Sequence, residues 1–104
     1  MDNIKEIDSD EFYEIIDKGK VLVQFGAPWC GPCKSVKALL LSISDSLLEL
    51  GIKVAYCDLE SNPDIQQDLE IQSIPVIVLF DHSNELGRIT GATTVTEILK
   101  LVSS

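Results

Sequence analysis

The chain has 104 residues, 45% of them apolar, which is enough for one domain with a hydrophobic core over residues 1–104. Its net charge of −9 argues against nucleic acid or an anionic membrane surface as its main partner. Residues 1–6 lack the basic and apolar segments of a signal peptide, and no apolar run approaches the about 18 residues of a membrane span. We therefore expect a cytoplasmic monomer that contacts neither nucleic acid nor membrane.

Helix-capping patterns and hydrophobic periodicity divide the chain into nine predicted elements. Asp8 with Glu11, and Thr94 with Glu97, match a capping box, while Asn62 before Pro63 predicts an N-cap followed by a first-turn proline. In chain order the predicted elements are a strand at 4–7, a helix from 8 ended by Gly19, a strand at 20–25, a helix at 33–50 ended by Gly51, a strand at 52–59, a helix at 63–69, strands at 75–80 and 85–90, and a helix from 94.

The order and polarity of these elements predict an α/β fold. Residues 20–25 and 75–80 are almost continuously apolar, which is typical of strands buried on both faces. Alternating strands and helices predict parallel pairing with right-handed crossovers, and the polar turn 81–84 predicts an antiparallel hairpin. We expect a mixed central sheet of about five strands with four helices on both faces. The helix residues predicted to face the sheet are Val36, Leu39, Leu40, Ile43, Leu47, Leu50, Val95, Ile98, Leu99 and Val102.

Two thiols separated by two residues, Cys30 and Cys33, lie between an apolar strand and a predicted helix. Strand, tight loop with Cys-x-x-Cys, then helix is the layout of a dithiol/disulfide redox site. A zinc site would also need Cys57 and His82. His82 falls about 20 Å along a strand from the dithiol, and Cys57 lies within a strand as a small core side chain, or alternatively a regulatory thiol. We therefore expect no metal site.

The segment Trp29-Cys30-Gly31-Pro32-Cys33 resembles the active-site signature of the thioredoxin family. Asn62-Pro63, Ile74-Pro75 and Gly91-Ala92 fall where that family has similar pairs, and the element order is similar over essentially the whole chain. The resemblance implies a thioredoxin fold. It also implies a protein-disulfide reductase that acts as an electron carrier for disulfide-containing protein substrates, is re-reduced by a thioredoxin reductase and needs no bound cofactor.

The resemblance also assigns roles to residues around the dithiol. Cys30 would be the exposed nucleophile at a helix N-terminus, where free N–H groups and the helix dipole favour a thiolate, and Cys33 would resolve the mixed disulfide. Pro32 fits the first helical turn and stiffens the loop. Pro75 would be a cis-proline facing the dithiol. The residues expected to form a flat apolar docking patch for an extended substrate segment are Trp29, Gly31, Pro32, Ile74, Pro75, Gly91 and Ala92.

The chain departs from the family beneath the dithiol. Gln24 stands where a buried aspartate is usual, and Tyr56 stands where its lysine neighbour is usual. Because an amide does not titrate, we expect Cys33 to be activated less well, or through water alone, with no carboxylate in the pH profile. Gly26 replaces a common aromatic, predicting a looser corner, and Ala38 replaces a helix-kinking proline, predicting a straighter helix.

Two other functions remain open from sequence. The departures at Gln24 and Tyr56 allow an interaction module with secondary redox activity, although both cysteines are intact. An oxidase or isomerase is disfavoured by the Gly-Pro pair between the cysteines. Lys34 and Lys37 follow the dithiol and are expected to be a solvated face, with a role in raising the potential around Cys30 as the alternative.

Overall fold

The computed structural model describes residues 4–103, folded as a five-stranded sheet with four helices. The elements are β1 Ile4–Ile7, α1 Ser9–Ile16, β2 Lys20–Gly26, α2 Gly31–Glu49, β3 Lys53–Asp58, α3 Pro63–Asp68, β4 Val76–Asp81, β5 Asn84–Thr90 and α4 Val95–Ser103. The sheet order is β1-β3-β2-β4-β5, with β2 parallel to β3 and antiparallel to β4. The predicted mixed sheet with the apolar β2 at its centre is therefore confirmed.

Two apolar layers cover the two faces of the sheet. One layer packs α1 and α3 on the sheet, through Phe12, Ile16 and Ile65. The other packs α2 and α4 on the opposite face, through buried side chains such as Leu40 and Ile98. The predicted placement of helices on both faces is therefore confirmed, and each face carries two of them. No helix within residues 4–103 is long and apolar enough to cross a membrane.

Each of the three predicted cap residues directly precedes its helix, and a side-chain capping bond forms at two of them. The Asp8 carboxylate accepts the Glu11 N–H at 2.9 Å, and the Glu11 carboxylate accepts the Asp8 N–H, which completes the predicted box. Thr94 Oγ1 accepts the Glu97 N–H at 3.2 Å. Asn62 occupies the cap position of α3 but its side chain makes no capping bond. Its amide N–H instead donates to the Asp58 carbonyl, and this bond closes the loop between β3 and α3.

One predicted helix end and two residues predicted to face the sheet were wrong. The first helix ends at Ile16, not at Gly19, because the Ile16 carbonyl accepts the Ser83 N–H of the hairpin turn instead of continuing the helix. Leu50 is 68% exposed, because it follows the last helical residue and the chain turns at Gly51 with φ +81°. Leu99 is 40% exposed, because Ile98 and Val102 already fill the buried face of α4.

The polar turn predicted at 81–84 forms a tight hairpin. His82 and Ser83 both have positive φ, 48° and 71°, which is the backbone of a two-residue turn that matches strand twist. His82 is exposed there and its ring contacts the Asp81 carboxylate at 2.7 Å. The imidazole therefore lies at the opposite end of β4 from Pro75, as the sequence indicated.

Candidate redox site

The dithiol lies where the central strand passes into the longest helix. A turn closes the loop between them, because the Cys30 N–H donates to the Ala27 carbonyl at 3.1 Å. Cys30 has an extended backbone and caps α2, which begins at Gly31 with Pro32 in its first turn. The helix thus starts two residues earlier than predicted, and Cys33 lies inside its first turn. The two cysteines form a disulfide, with Cα atoms 5.3 Å apart.

The helix terminus itself contacts the Cys30 sulfur. The Cys33 N–H donates to Cys30 Sγ at 3.1 Å. The first N–H groups of a helix have no intrahelical acceptor, and the helix dipole places positive potential at that end. When the disulfide opens, the same N–H and dipole favour a thiolate on Cys30.

Cys30 is less accessible in the disulfide form than the sequence suggested. Its exposed fraction is 5%, against 2% for Cys33, so the expectation of an exposed Cys30 is wrong for this state. Ala27 forms a small buried cluster with both cysteines, and Ile74 packs against it. The neighbours Gly31 and Pro32 are exposed, so the loop protrudes while its sulfurs point inward.

The residues predicted to form the apolar docking patch differ in exposure and in contacts, and we call them the rim. Trp29 is 71% exposed, which excludes a core role, and its indole N–H donates to the Glu60 carboxylate. The Ile74–Pro75 peptide bond is cis, as predicted, with Ile74 half-buried and Pro75 buried. The Gly91 N–H donates to the Pro75 carbonyl at 2.7 Å, which ties residues 91 and 92 to this side of the sheet. Ala92 is exposed next to Gly91.

A pocket of about 320 Å³ lies beside Trp29 and contains polar residues that the sequence had not singled out. Glu60 follows β3 directly, and the carboxyl ends of parallel strands meet at one edge of a sheet, so its proximity to Trp29 was predictable in principle. No sequence signal pointed to the glutamines. The lining residues are Ala27, Trp29, Leu59, Glu60, Gln66, Gln72, Ser73 and Ile74.

Gln24 and Tyr56 are neighbours beneath the dithiol. They are register partners on β2 and β3, so their side chains share one face of the sheet. Gln24 is fully buried, and its amide N–H donates to the Cys33 carbonyl at 2.8 Å. The amide thus bonds Cys33 through the backbone and not through the sulfur. Its Oε1 is buried without a hydrogen-bond partner.

Gly26 is tightly packed, which contradicts the expectation of a looser corner. A Cβ placed on Gly26 would lie 2.8 Å from the Tyr56 hydroxyl oxygen and 2.9 Å from Cys33 Sγ. These two atoms therefore fill the space that a side chain would take. The small residue at this corner is required by Tyr56, which belongs to another strand.

An open cleft of about 220 Å³ is lined by both Tyr56 and Cys33, and we call it the Tyr56 cleft. Lys37 Nζ lies 4.7 Å from the centre of the Tyr56 ring, within the range of a cation–π contact. Burial, followed by the charges of Asp58, Glu6 and Cys57, raises the pKa of Tyr56. The lining residues are Glu6, Ala27, Pro28, Cys33, Lys34, Lys37, Tyr56 and Asp58.

The third thiol lies apart from this site. Cys57 is fully buried in the layer beneath α1 and α3, as the core interpretation predicted. Burial above all, and then nearby carboxylates led by Asp58, raise its pKa to about 12. Among residues 4–103 no cluster of three or more His, Cys, Asp or Glu side chains could hold a metal ion.

Comparison with known proteins points to one family. The family model described as Thioredoxin matches residues 3–104. A thioredoxin of Chlamydia pneumoniae is 36% identical over 88 residues, covering 85% of this chain and 84% of that protein. A bifunctional thioredoxin reductase/thioredoxin of Mycobacterium leprae is 34% identical over 96% of this chain, which spans only 22% of that longer protein. Oxidised mitochondrial thioredoxin 3 of Saccharomyces cerevisiae is 26% identical, with a TM-score of 0.84 over 97% of this chain and 95% of that one.

The packing around Gly26 predicts that Gly26→Ala lowers the free energy of unfolding by about 1–3 kcal/mol, because the new methyl meets two atoms below 3.0 Å. Urea unfolding of the oxidised protein measures this. Combining Gly26→Ala with Tyr56→Phe should recover part of the loss, since the closer of the two atoms is removed. Gly31→Ala is the matched control, because nothing lies within 4 Å of its Cβ position. A Gly26→Ala protein as stable as this control would contradict the packing.

The burial of Cys57 predicts that its thiol is inert in the folded protein. We expect no alkylation by iodoacetamide at about pH 8, where an ordinary thiol is partly ionised. Mass spectrometry of the oxidised protein should show one added group only after denaturation in urea. Stoichiometric labelling of the native protein would instead support the regulatory thiol that the sequence left open.

Proposed function

The chain belongs to the thioredoxin family and is a thiol-disulfide oxidoreductase, and on that premise we propose that Cys30 attacks and Cys33 resolves in the reduction of protein disulfides. One observation carries the assignment. Cys30 caps α2 and its sulfur accepts the Cys33 N–H, so the helix terminus stabilises a thiolate on Cys30 in particular. Cys33, in the first turn of the helix and less exposed, is suited to the second step.

The proposed reaction consists of two exchanges. The Cys30 thiolate attacks one sulfur of a substrate disulfide, forming a mixed disulfide and releasing the other substrate sulfur as a thiolate. Cys33 then attacks Cys30 Sγ, which re-forms the Cys30–Cys33 bond and releases the second substrate sulfur. The disulfide state of the structure is the product of this cycle. Since the two thiols carry both electrons, we propose that no bound cofactor takes part.

Substrate docking is proposed on the rim around the sulfurs. Because Cys30 is only 5% exposed, a substrate sulfur must approach between Trp29 and Ile74, the two rim residues that also line the pocket of about 320 Å³. Pro75, Gly91 and Ala92 would support an extended substrate segment, as the resemblance implied. The pocket's glutamines and Glu60 supply polar groups for a substrate side chain.

A thioredoxin reductase is proposed as the electron donor. This rests on the mycobacterial relative, in which a thioredoxin and a thioredoxin reductase are named as parts of one bifunctional protein. Disulfide-containing proteins are the proposed acceptors. The cytoplasmic location and the monomeric state stay predictions from sequence.

The proposal predicts that the purified protein reduces insulin disulfides when a dithiol reductant is supplied. Cys30→Ser should abolish the activity, because no nucleophile remains. Cys33→Ser should stall as a mixed disulfide on Cys30, which non-reducing electrophoresis detects as a reductant-sensitive adduct. Cys57→Ser is the matched control and should keep full activity, since that thiol is buried on the other side of the sheet.

Two results would contradict the proposal. Adducts that form with Cys30→Ser but not with Cys33→Ser would reverse the roles of the two sulfurs. A wild-type protein that binds partners yet leaves insulin intact would favour the interaction module.

A further inference from the structure

The proposed resolving step needs a route for a proton. Cys33 must be a thiolate to attack Cys30 Sγ, since the thiol is a poor nucleophile. Gln24 cannot take that proton, because an amide does not titrate. Its N–H is also already used, on the Cys33 carbonyl. A different group must therefore serve the sulfur.

The Tyr56 hydroxyl is placed for this role by the missing side chain of Gly26. The hydroxyl oxygen and Cys33 Sγ lie 2.8 and 2.9 Å from the same point, the Cβ position of Gly26. They are consequently less than about 6 Å apart, with no side chain from Gly26 between them. One water bridges such a gap, and a small movement of the freed sulfur gives a direct hydrogen bond.

The Tyr56 cleft joins this pair to solvent. Both Tyr56 and Cys33 line it, so a proton that reaches the hydroxyl has a path out of the protein. Lys37 lies over the Tyr56 ring at 4.7 Å and helps to fix its orientation. The raised pKa of Tyr56 keeps its hydroxyl protonated, so it remains a donor when the Cys33 thiolate forms.

We propose that the Tyr56 hydroxyl is the proton relay of Cys33, bonding the freed sulfur directly or through one water and passing its proton to the Tyr56 cleft. The proposal rests on the proposed roles of Cys30 and Cys33. The Cys33 proton moves to the tyrosyl oxygen while the hydroxyl proton moves to water, so Tyr56 stays neutral. The Cys33 electron pair forms the bond to Cys30. The bond from Cys30 to the substrate breaks, and its electron pair leaves on the substrate sulfur, which water then protonates.

Other charged groups line the same cleft, and their influence on Cys33 must be distinguished from that of the Tyr56 hydroxyl. Glu6 comes from β1, Asp58 from β3, and Lys34 and Lys37 from α2. The buried Gln24 of β2, which bonds the Cys33 carbonyl, is neutral. Carboxyl and lysine ammonium groups ordinarily titrate below and above the range of a thiol. A midpoint in the thiol range therefore reports Cys33, and variants assign its cause.

The test follows the two thiols separately in rapid mixing of the reduced protein with dithiobis(nitrobenzoate). Attack by Cys30 releases one coloured thiolate, and attack by Cys33 on the mixed disulfide releases the second. We expect Tyr56→Phe to slow the second release about tenfold at neutral pH. The pH midpoint of the second release should rise by about one unit in this variant, because the Cys33 thiolate loses a hydrogen-bond donor. Tyr13→Phe is the matched control: Tyr13 is exposed, bonds Asp68 and should change neither release.

Each remaining outcome is informative. An unchanged second release and midpoint in Tyr56→Phe would overturn the relay. A midpoint that shifts in Lys37→Met but not in Tyr56→Phe would also overturn it, because the effect would then belong to the ammonium charge. Fluorotyrosine at position 56 keeps the side-chain shape and acidifies the hydroxyl, so it should lower the midpoint; no change would also overturn the relay. If the reduced wild-type protein released no coloured thiolate in the first step, the proposed attack by Cys30 would be contradicted instead.

Discussion

Both backbone polar groups of Cys33 are hydrogen-bonded, and the geometry of the dithiol depends on these two bonds. Its N–H donates to Cys30 Sγ, and its carbonyl accepts from Gln24 at the centre of the sheet. Because Gln24 is fully buried on the central strand, its hydrogen bond ties the first turn of α2 to the centre of the sheet. The helix terminus therefore meets Cys30 at a defined angle, and one sulfur of the pair receives the stabilisation of the helix end.

Positions 24 and 56 beneath the dithiol hold a glutamine and a tyrosine in place of an ion pair. A carboxylate at position 24 would need a cation nearby, and the register partner on β3 is a tyrosine, not a lysine. The neutral amide avoids a buried charge, and its Oε1 is a buried acceptor with no hydrogen-bond partner among residues 4–103. The Tyr56 hydroxyl and Cys33 Sγ then both border the space over Gly26. The residues at positions 24, 26 and 56 form one connected packing arrangement.

Much of this could be predicted from the chain. The capping box at Asp8 and the strand-loop-helix layout at Cys30 are local patterns, and the buried strands are visible as apolar runs. Leu50 and Leu99 were misplaced because periodicity does not show where a helix ends or which apolar residues fill its face. The packing of Gly26 depends on an atom contributed 30 residues away, and sequence reasoning about one position cannot see it. The burial of Cys30 likewise depends on contact with Ile74 from a distant loop.

The central claim is that this site reduces other disulfides instead of forming them. The direct measurement is the reduction potential of the Cys30–Cys33 pair, from equilibrium with a glutathione buffer in which the disulfide fraction is quantified. We expect a value near the about −270 mV known for thioredoxin, since the Gly-Pro loop and the helix terminus are those of that family. A value near about −120 mV would place the protein among the oxidants and contradict the account.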